Sequence, residues 1–186
     1  RLVIPSGVAR TRSNDQDYRF RPHSAFVHLT AAQEPEWVLV LEPSVHGHDA
    51  TLYVRANAPR TTGAFFRDRR YGELWVGPSP SLAHAEAAYA LPCRPVDRLA
   101  SALEGAAPGN GRTRLLRGVD PAVDALLPDG GSADVELVEA LSELRLVKDE
   151  WEVGELVAAV EATALGFADV VRALPEAVAS ARGERW

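Results

Sequence analysis

The chain contains a single cysteine, Cys93, which excludes an internal disulfide framework and fits a reducing compartment. No apolar run approaches the roughly 20 residues that span a bilayer. The first residues lack the apolar stretch of a secretory signal. Excess positive charge is missing as well: 20 Lys and Arg stand against 26 Asp and Glu, for a net charge of −6. Nucleic acid and anionic membrane both call for clustered basic residues, so neither is an expected partner. A soluble, cytoplasmic protein is the expectation. Familiar chemical signatures are also absent. There is no G-x-S-x-G elbow, no P-loop and no complete dinucleotide fingerprint. Gly109-Asn110-Gly111 lacks a third glycine and opens no helix, so it reads as a turn.

What is present belongs to an ordinary globular chain. Of its 186 residues 46% are apolar and 25% charged, enough for a real core and for one domain, or one domain plus a fragment. Leu2-Val3-Ile4 reads as a buried strand with almost no lead-in, which suggests further residues before it. The stretch Thr11–Leu41 is the most distinctive. It passes from charged residues through the alternation Tyr18-Arg19-Phe20-Arg21 into two apolar segments, 26–30 and 37–41, with a Glu-Pro turn between them. Both are expected as strands, and 51–54 as a third, joined in an antiparallel meander with a turn at 43–48. The continuous apolar run 37–41 predicts a strand covered on both faces.

Helices are expected after residue 58. Thr61 or Thr62 can cap one that runs to Arg70 with Phe65 and Phe66 inward. Leu74-Trp75-Val76 reads as extended, 81–89 as an Ala-rich helix, and 94–103 as a helix with Pro95 in its first turn. Residues 114–116 read as a strand, 120–127 as a helix opened by Asp120-Pro121, and 134–141 as a helix. This alternation predicts an α/β domain with a mixed central sheet and helices on both faces. From Asp149 a capping box with Glu152 opens a long helix, about 39 Å at 1.5 Å per residue, that Pro175 is expected to close. Its stripe Leu156, Val160, Phe167, Val171 and Leu174 needs a partner surface, and little sequence remains to supply one. The expectation is a chain truncated inside a second domain.

Candidate chemistry is sparse. His46-Gly47-His48-Asp49 places two His at i and i+2, which on an extended strand face one way and suit Zn or Mn. A solvated hairpin loop is the preferred reading, since no further ligand set has matching spacing. Arg67-Asp68-Arg69-Arg70 reads as a solvated helix end, and Asp15 and Asp17 as turn residues or a carboxylate pair. Cys93 shows no cue for activation. Trp75 is either a core residue or, if exposed, a contact surface.

The block from Thr11 resembles the N-terminal domain of the aminopeptidase P family, the Xaa-Pro aminopeptidases of the creatinase/prolidase "pita-bread" metallopeptidases. The residues that carry the resemblance are Thr11, Arg12, Ser13, Asp15, Tyr18, Arg21, Ser24, Phe26, Leu29, Thr30, Glu34 and Pro35. Tyr71-Gly72-Glu73-Leu74-Trp75-Val76-Gly77 resembles the family's E-x-W-x-G element, and Ser142–Asp149 resembles its interdomain joint. His28 and Ala31 depart from the pattern, where an aromatic residue and a glycine are usual. The resemblance implies a creatinase-like (ribonuclease H-like) α/β domain over 1–141, and over 142–186 a joint with the first helices of a truncated catalytic domain. It implies a full-length enzyme that removes the residue preceding proline from proline-containing peptides. Two Mn ions are expected in the absent domain and no cofactor in this chain, which is expected to be inactive alone. A homo-oligomer, dimer or tetramer, is implied, with this portion aiding assembly and restricting access. Asp15, Trp75 and Arg145 match residues that approach the substrate, the first two from a neighbouring subunit. A creatinase-like binding module of a pseudoenzyme and a prolidase are the alternatives.

Overall fold

The computed structural model describes residues 1–14, 16–104 and 113–182. The chain opens on β1 (Leu2–Pro5), a strand with Val3 and Ile4 fully buried. A two-stranded ribbon follows, β2 (Thr11–Ser13) and β3 (Gln16–Asp17), antiparallel and exposed. After α1 (Ser24–Thr30) come β4 (Val38–Ser44) and β5 (Gly47–Val54). β6 (Cys93–Pro95) and β7 (Arg114–Leu115) complete a five-stranded sheet in the order β6-β5-β4-β1-β7. β4 pairs antiparallel with β1 and β5, while β7 and β6 pair parallel with β1 and β5. The sheet is therefore mixed, as expected.

Strand periodicity divides the core in two. Ile4, Leu39, Leu52 and Val54 face one way, onto Ala25 and Phe26 of α1, Ala85 of α4 (Leu82–Tyr89), and Leu137 and Leu141 of α7 (Ser132–Leu144). Val3, Val38, Val40 and Tyr53 face the other way, onto Leu99 and Leu103 of α5 (Leu99–Leu103) and Val123 of α6 (Pro121–Asp124). Helices thus cover both faces. Each fully buried Leu, Ile or Phe contributes about 1.5–3 kcal/mol relative to exposure.

Several elements differ from the sequence reading. Residues 26–30 are helix, not strand. The His23 ring Nδ1 accepts from Ala25 N–H, the Thr30 hydroxyl donates back to the Phe26 carbonyl, and Ala31 ends the turn in the left-handed conformation. Buried Ala25, Phe26 and Thr30 follow helical spacing, with His28 outside. The meander is therefore a single hairpin, β4–β5, and its paired residues extend through the expected turn to Ser44↔Gly47. The helix expected to reach Arg70 is one turn, α2 (Ala64–Arg67), capped by Gly63, and Phe66 points outward. Residues 73–76 are not extended; they form α3 (Glu73–Val76). Arg94-Pro95 lies in β6, ahead of a 3₁₀ turn (Val96–Arg98) and α5. Parallel pairing to Tyr53 and Val54 overrides the helix-start signal of Pro95 there.

The chain divides into two compact units, Arg1–Leu144 and Arg145–Trp186. The second contains α8 (Glu150–Ala179), opened by the expected capping box: the Asp149 carboxylate accepts from Glu152 N–H, and the Glu152 carboxylate from Asp149 N–H. Pro175 does not close it. The helix runs on to Ala179 and tolerates a residue that donates no backbone hydrogen bond. Asp15 and the Ala106–Gly111 turn lie outside the described residues.

Candidate functional site

Trp75 is carried by a segment, residues 64–77, tied to the loop after β5 through Ala58. Neither α2 nor α3 contains a buried residue. Gly72 caps α3 where only glycine fits, because a Cβ there would lie 2.4 Å from the Asp68 carbonyl oxygen and 2.6 Å from that of Phe65. The Asp68 carboxylate accepts from the backbone N–H of Arg70 and Tyr71, at 2.9 and 3.0 Å. These local bonds fold residues 64–77 into a tight double turn.

The turn presents an apolar face. Trp75 is 51% exposed, with Phe66, Leu74 and Val76 similarly open. The indole is nonetheless held in place: its Nε1–H donates to the Phe66 carbonyl at 3.1 Å, and the Arg69 guanidinium lies 5.4 Å from the ring centroid. An ordered, half-exposed Trp beside other apolar side chains is the composition of a contact surface.

Arg70 and Tyr71 of the same segment join a charged cluster. Glu36, 8% exposed, accepts from the Tyr71 hydroxyl, 2.6 Å from both carboxylate oxygens, and from Arg70 Nη2 at 2.8 Å; Arg55 Nε lies 2.6 Å away as an ion pair without hydrogen-bond geometry. The guanidinium groups of Arg55 and Arg70 also lie 4.9 and 5.5 Å from the Tyr71 ring centroid. Burial, then the hydrogen bond to Glu36, pushes the Tyr71 phenol up to about 12. The cluster borders a cavity of about 330 Å³ whose wall also includes Asp17, Glu34 and Asn57. A second cavity, about 380 Å³, lies at the base of the β2–β3 ribbon and collects Arg10, Tyr18, Arg19, Phe20, Arg21 and His23.

The other sequence candidates are placed as follows. Asp15 lies outside the described residues. Arg145 is half-buried at the start of the second unit. Its carbonyl accepts from Lys148 Nζ. His46 sits in the β4–β5 turn, while His48 pairs with Pro43 inside the hairpin, so the two do not share an extended strand. Among the described residues no three His, Cys, Asp or Glu side chains are grouped to hold a metal ion, so these residues do not fit a metal centre. No described helix is long and apolar enough to cross a membrane. Cys93 is buried, and burial followed by Glu86 raises its thiol pKa. Glu36 escaped sequence reasoning, as did the pairing of Tyr71 with it. The available signal was a charge set directly before an apolar strand, between Pro35 and Trp37.

The family model described as "Aminopeptidase P, N-terminal domain" matches residues 1–115. The chain belongs to the aminopeptidase P N-terminal domain family. Xaa-Pro aminopeptidase 2 of Streptomyces coelicolor is 48% identical over 187 residues, covering 100% of this chain and 39% of the relative. Xaa-Pro aminopeptidase 1 of the same organism is 46% identical over 182 residues, covering 97% of this chain and 36% of the relative. The chain thus spans well under half the length of these curated relatives. Among solved structures, an Escherichia coli aminopeptidase P variant superposes with a TM-score of 0.67 at 21% identity, over 88% of this chain and 38% of that one. The proline aminopeptidase P II from Yersinia pestis gives 0.61 at 22% identity, over 82% and 36%. Both share the mixed-sheet α/β fold described above.

Proposed function

We propose that the whole protein is a Xaa-Pro aminopeptidase, a metallopeptidase that removes the N-terminal residue from peptides with proline second. The observation that carries this reading is 48% identity along the entire chain to Xaa-Pro aminopeptidase 2. In it, residues 1–141 form a non-catalytic N-terminal domain, and 142–186 form the joint and first helices of a catalytic domain. That catalytic domain would hold the metal ions, with manganese the expected species. The N-terminal domain would support assembly into a dimer or tetramer and admit only short, unfolded N-termini. A cytoplasmic location accords with the single cysteine.

Asp15, Trp75 and Arg145 would border the substrate. A carboxylate attracts a peptide's terminal ammonium, and a flat aromatic walls an apolar pocket. The half-exposed, ordered indole of Trp75 supports its part in this reading. The test is manganese-supplemented hydrolysis of a tripeptide Xaa-Pro-Yaa by the whole protein. Release of the first residue is expected. No cleavage would overturn the peptidase reading, and cleavage of Xaa-Pro dipeptides alone would make it a prolidase. Trp75→Ala should raise KM about tenfold, the scale of one lost apolar contact, with kcat little changed. Unaltered kinetics would remove Trp75 from the substrate site.

A further inference from the structure

We infer that Glu36 is a positioning residue: its carboxylate is the post to which the segment carrying Trp75 is tied. The inference rests on the reading of Trp75 given above. It begins from a backbone outlier. Glu36 has φ +59°, a left-handed conformation that glycine and asparagine adopt readily and glutamate does not. Such strain persists where the surroundings demand it. The Glu36 N–H donates to the Gly7 carbonyl at 2.7 Å, and Gly7 itself has φ +110°. Two irregular turns therefore meet at the head of β4, and the Glu36 side chain is buried there while Glu34, two residues earlier, is exposed.

The partners of that carboxylate divide by origin. Arg55 follows β5 directly, and its carbonyl accepts from Trp37 Nε1 at 3.3 Å, so it belongs to the sheet. Arg70 and Tyr71 belong to the α2–α3 segment. Glu36 therefore bridges the two. Neither helix of the segment has a buried residue, and the buried Gly72 between them carries no side chain, so apolar side-chain burial does not fix it. Its other ties include the Ala58–Tyr71 and Glu73–Ala58 backbone bonds and that of the Asn57 amide to the Gly77 carbonyl. Trp75 is bonded within the segment, to the Phe66 carbonyl and against Arg69, so the indole goes where Arg70 and Tyr71 go. The Arg70 guanidinium and the Tyr71 phenol, both hydrogen-bonded to one buried carboxylate that Arg55 pairs with from the sheet side, make a directional clamp, since charge-assisted bonds are short and about twice as strong as neutral ones.

The test uses the whole protein carrying Glu36→Gln, which keeps the shape and removes the charge. Amide exchange across residues 64–77 should accelerate about tenfold, the scale of one charge-assisted bond lost, while amides of β1 and β4 stay protected. KM for the tripeptide should rise with kcat nearly unchanged, and adding Glu36→Gln to Trp75→Ala should raise KM no further. Unchanged exchange overturns the inference whatever the kinetics. So does a normal KM for Glu36→Gln where Trp75→Ala raises it. If Trp75→Ala itself leaves KM unchanged, the earlier reading of Trp75 has failed, and exchange alone decides the clamp. Should Glu36→Gln not fold, Tyr71→Phe removes the segment's phenol from the same carboxylate, leaves both ion pairs, and carries the same expectations.

Discussion

Replacing Asp134 with Asn should destabilise the chain by about 3 kcal/mol at neutral pH, in the range for uncoupling a buried, hydrogen-bonded ion pair. Asp134 lies in the first turn of α7 and is 7% exposed. One oxygen accepts from Leu115 N–H of β7 at 2.8 Å. The other accepts from Arg117 Nε at 2.8 Å and Gly130 N–H at 3.2 Å. Arg117 then reaches the Asp124 and Pro128 carbonyls. One carboxylate thus ties an edge strand, a loop and a helix together. An amide has one acceptor oxygen and one donor nitrogen, so either rotamer sets an N–H against an N–H. At about 2–4 °C per kcal/mol for a chain of this size, the melting point should fall by about 6–12 °C. The pH dependence gives a second check. Burial opposes ionisation of Asp134, but the bonds to Leu115, Arg117 and Gly130 outweigh it and lower its pKa. Its contribution is then fully present above the unfolded carboxyl value, about 3.9, and is lost as pH falls through the lower folded value. Urea unfolding followed by tryptophan fluorescence should show a constant gap between Asp134→Asn and wild type from pH 7 to about 5 that closes below about 4. A variant within about 0.5 kcal/mol of wild type at pH 7, the range of ordinary surface changes, would refute the argument. So would a gap of equal size at pH 3.

Two further outcomes are expected. Phe26→Ala removes a fully buried ring from the α1 face of the sheet and should cost about 3–5 kcal/mol by urea unfolding. Cys93 is buried with its thiol pKa raised, so a thiolate-specific alkylating agent should react slowly at neutral pH and faster as pH rises, with fast labelling only on unfolding; the rate is read by mass spectrometry.

Strands β1, β4 and β5 were legible because an apolar run bounded by turns has one cheap way to be buried. Leu2-Val3-Ile4, the run from Trp37 and the run from Thr51 all behaved so. Local rules also carried through where a side chain acts on its own backbone: Asp120 before Pro121 and Asp149 with Glu152. The failures lie where four or five residues suit two structures. Phe26-Val27-His28-Leu29 fits a strand by composition, and only the His23 and Thr30 bonds decide for helix. Leu74-Trp75-Val76 is too short for any period to show, and its helical turn depends on a packed Gly72. At the candidate site Trp75 was singled out through its motif, while the choice between core and exposed surface stayed open until the structure placed it half in water. Glu36 was illegible for a stronger reason: its meaning comes from Arg70 and Tyr71, which lie 34 and 35 residues away in sequence.

These two kinds of order have different consequences for function. The sheet and its covering helices are held by apolar side chains packed on both faces, with Val3, Ile4, Phe26 and Leu52 fully buried. Residues 64–76 are held by hydrogen bonds and ion pairs over a surface that stays open. Regions with few buried apolar contacts open at lower free energy than the core. Phe26→Ala and Trp75→Ala should therefore fail in opposite ways. The first lowers stability and leaves the kinetics of the surviving folded molecules intact, because α1 lies beneath the sheet. The second leaves stability nearly unchanged, because half the indole is already in water, and alters KM. A loss of stability from Trp75→Ala comparable to that from Phe26→Ala would mean that the indole is a core residue after all, and that the open face over α2 and α3 is not the surface this chain offers to another molecule.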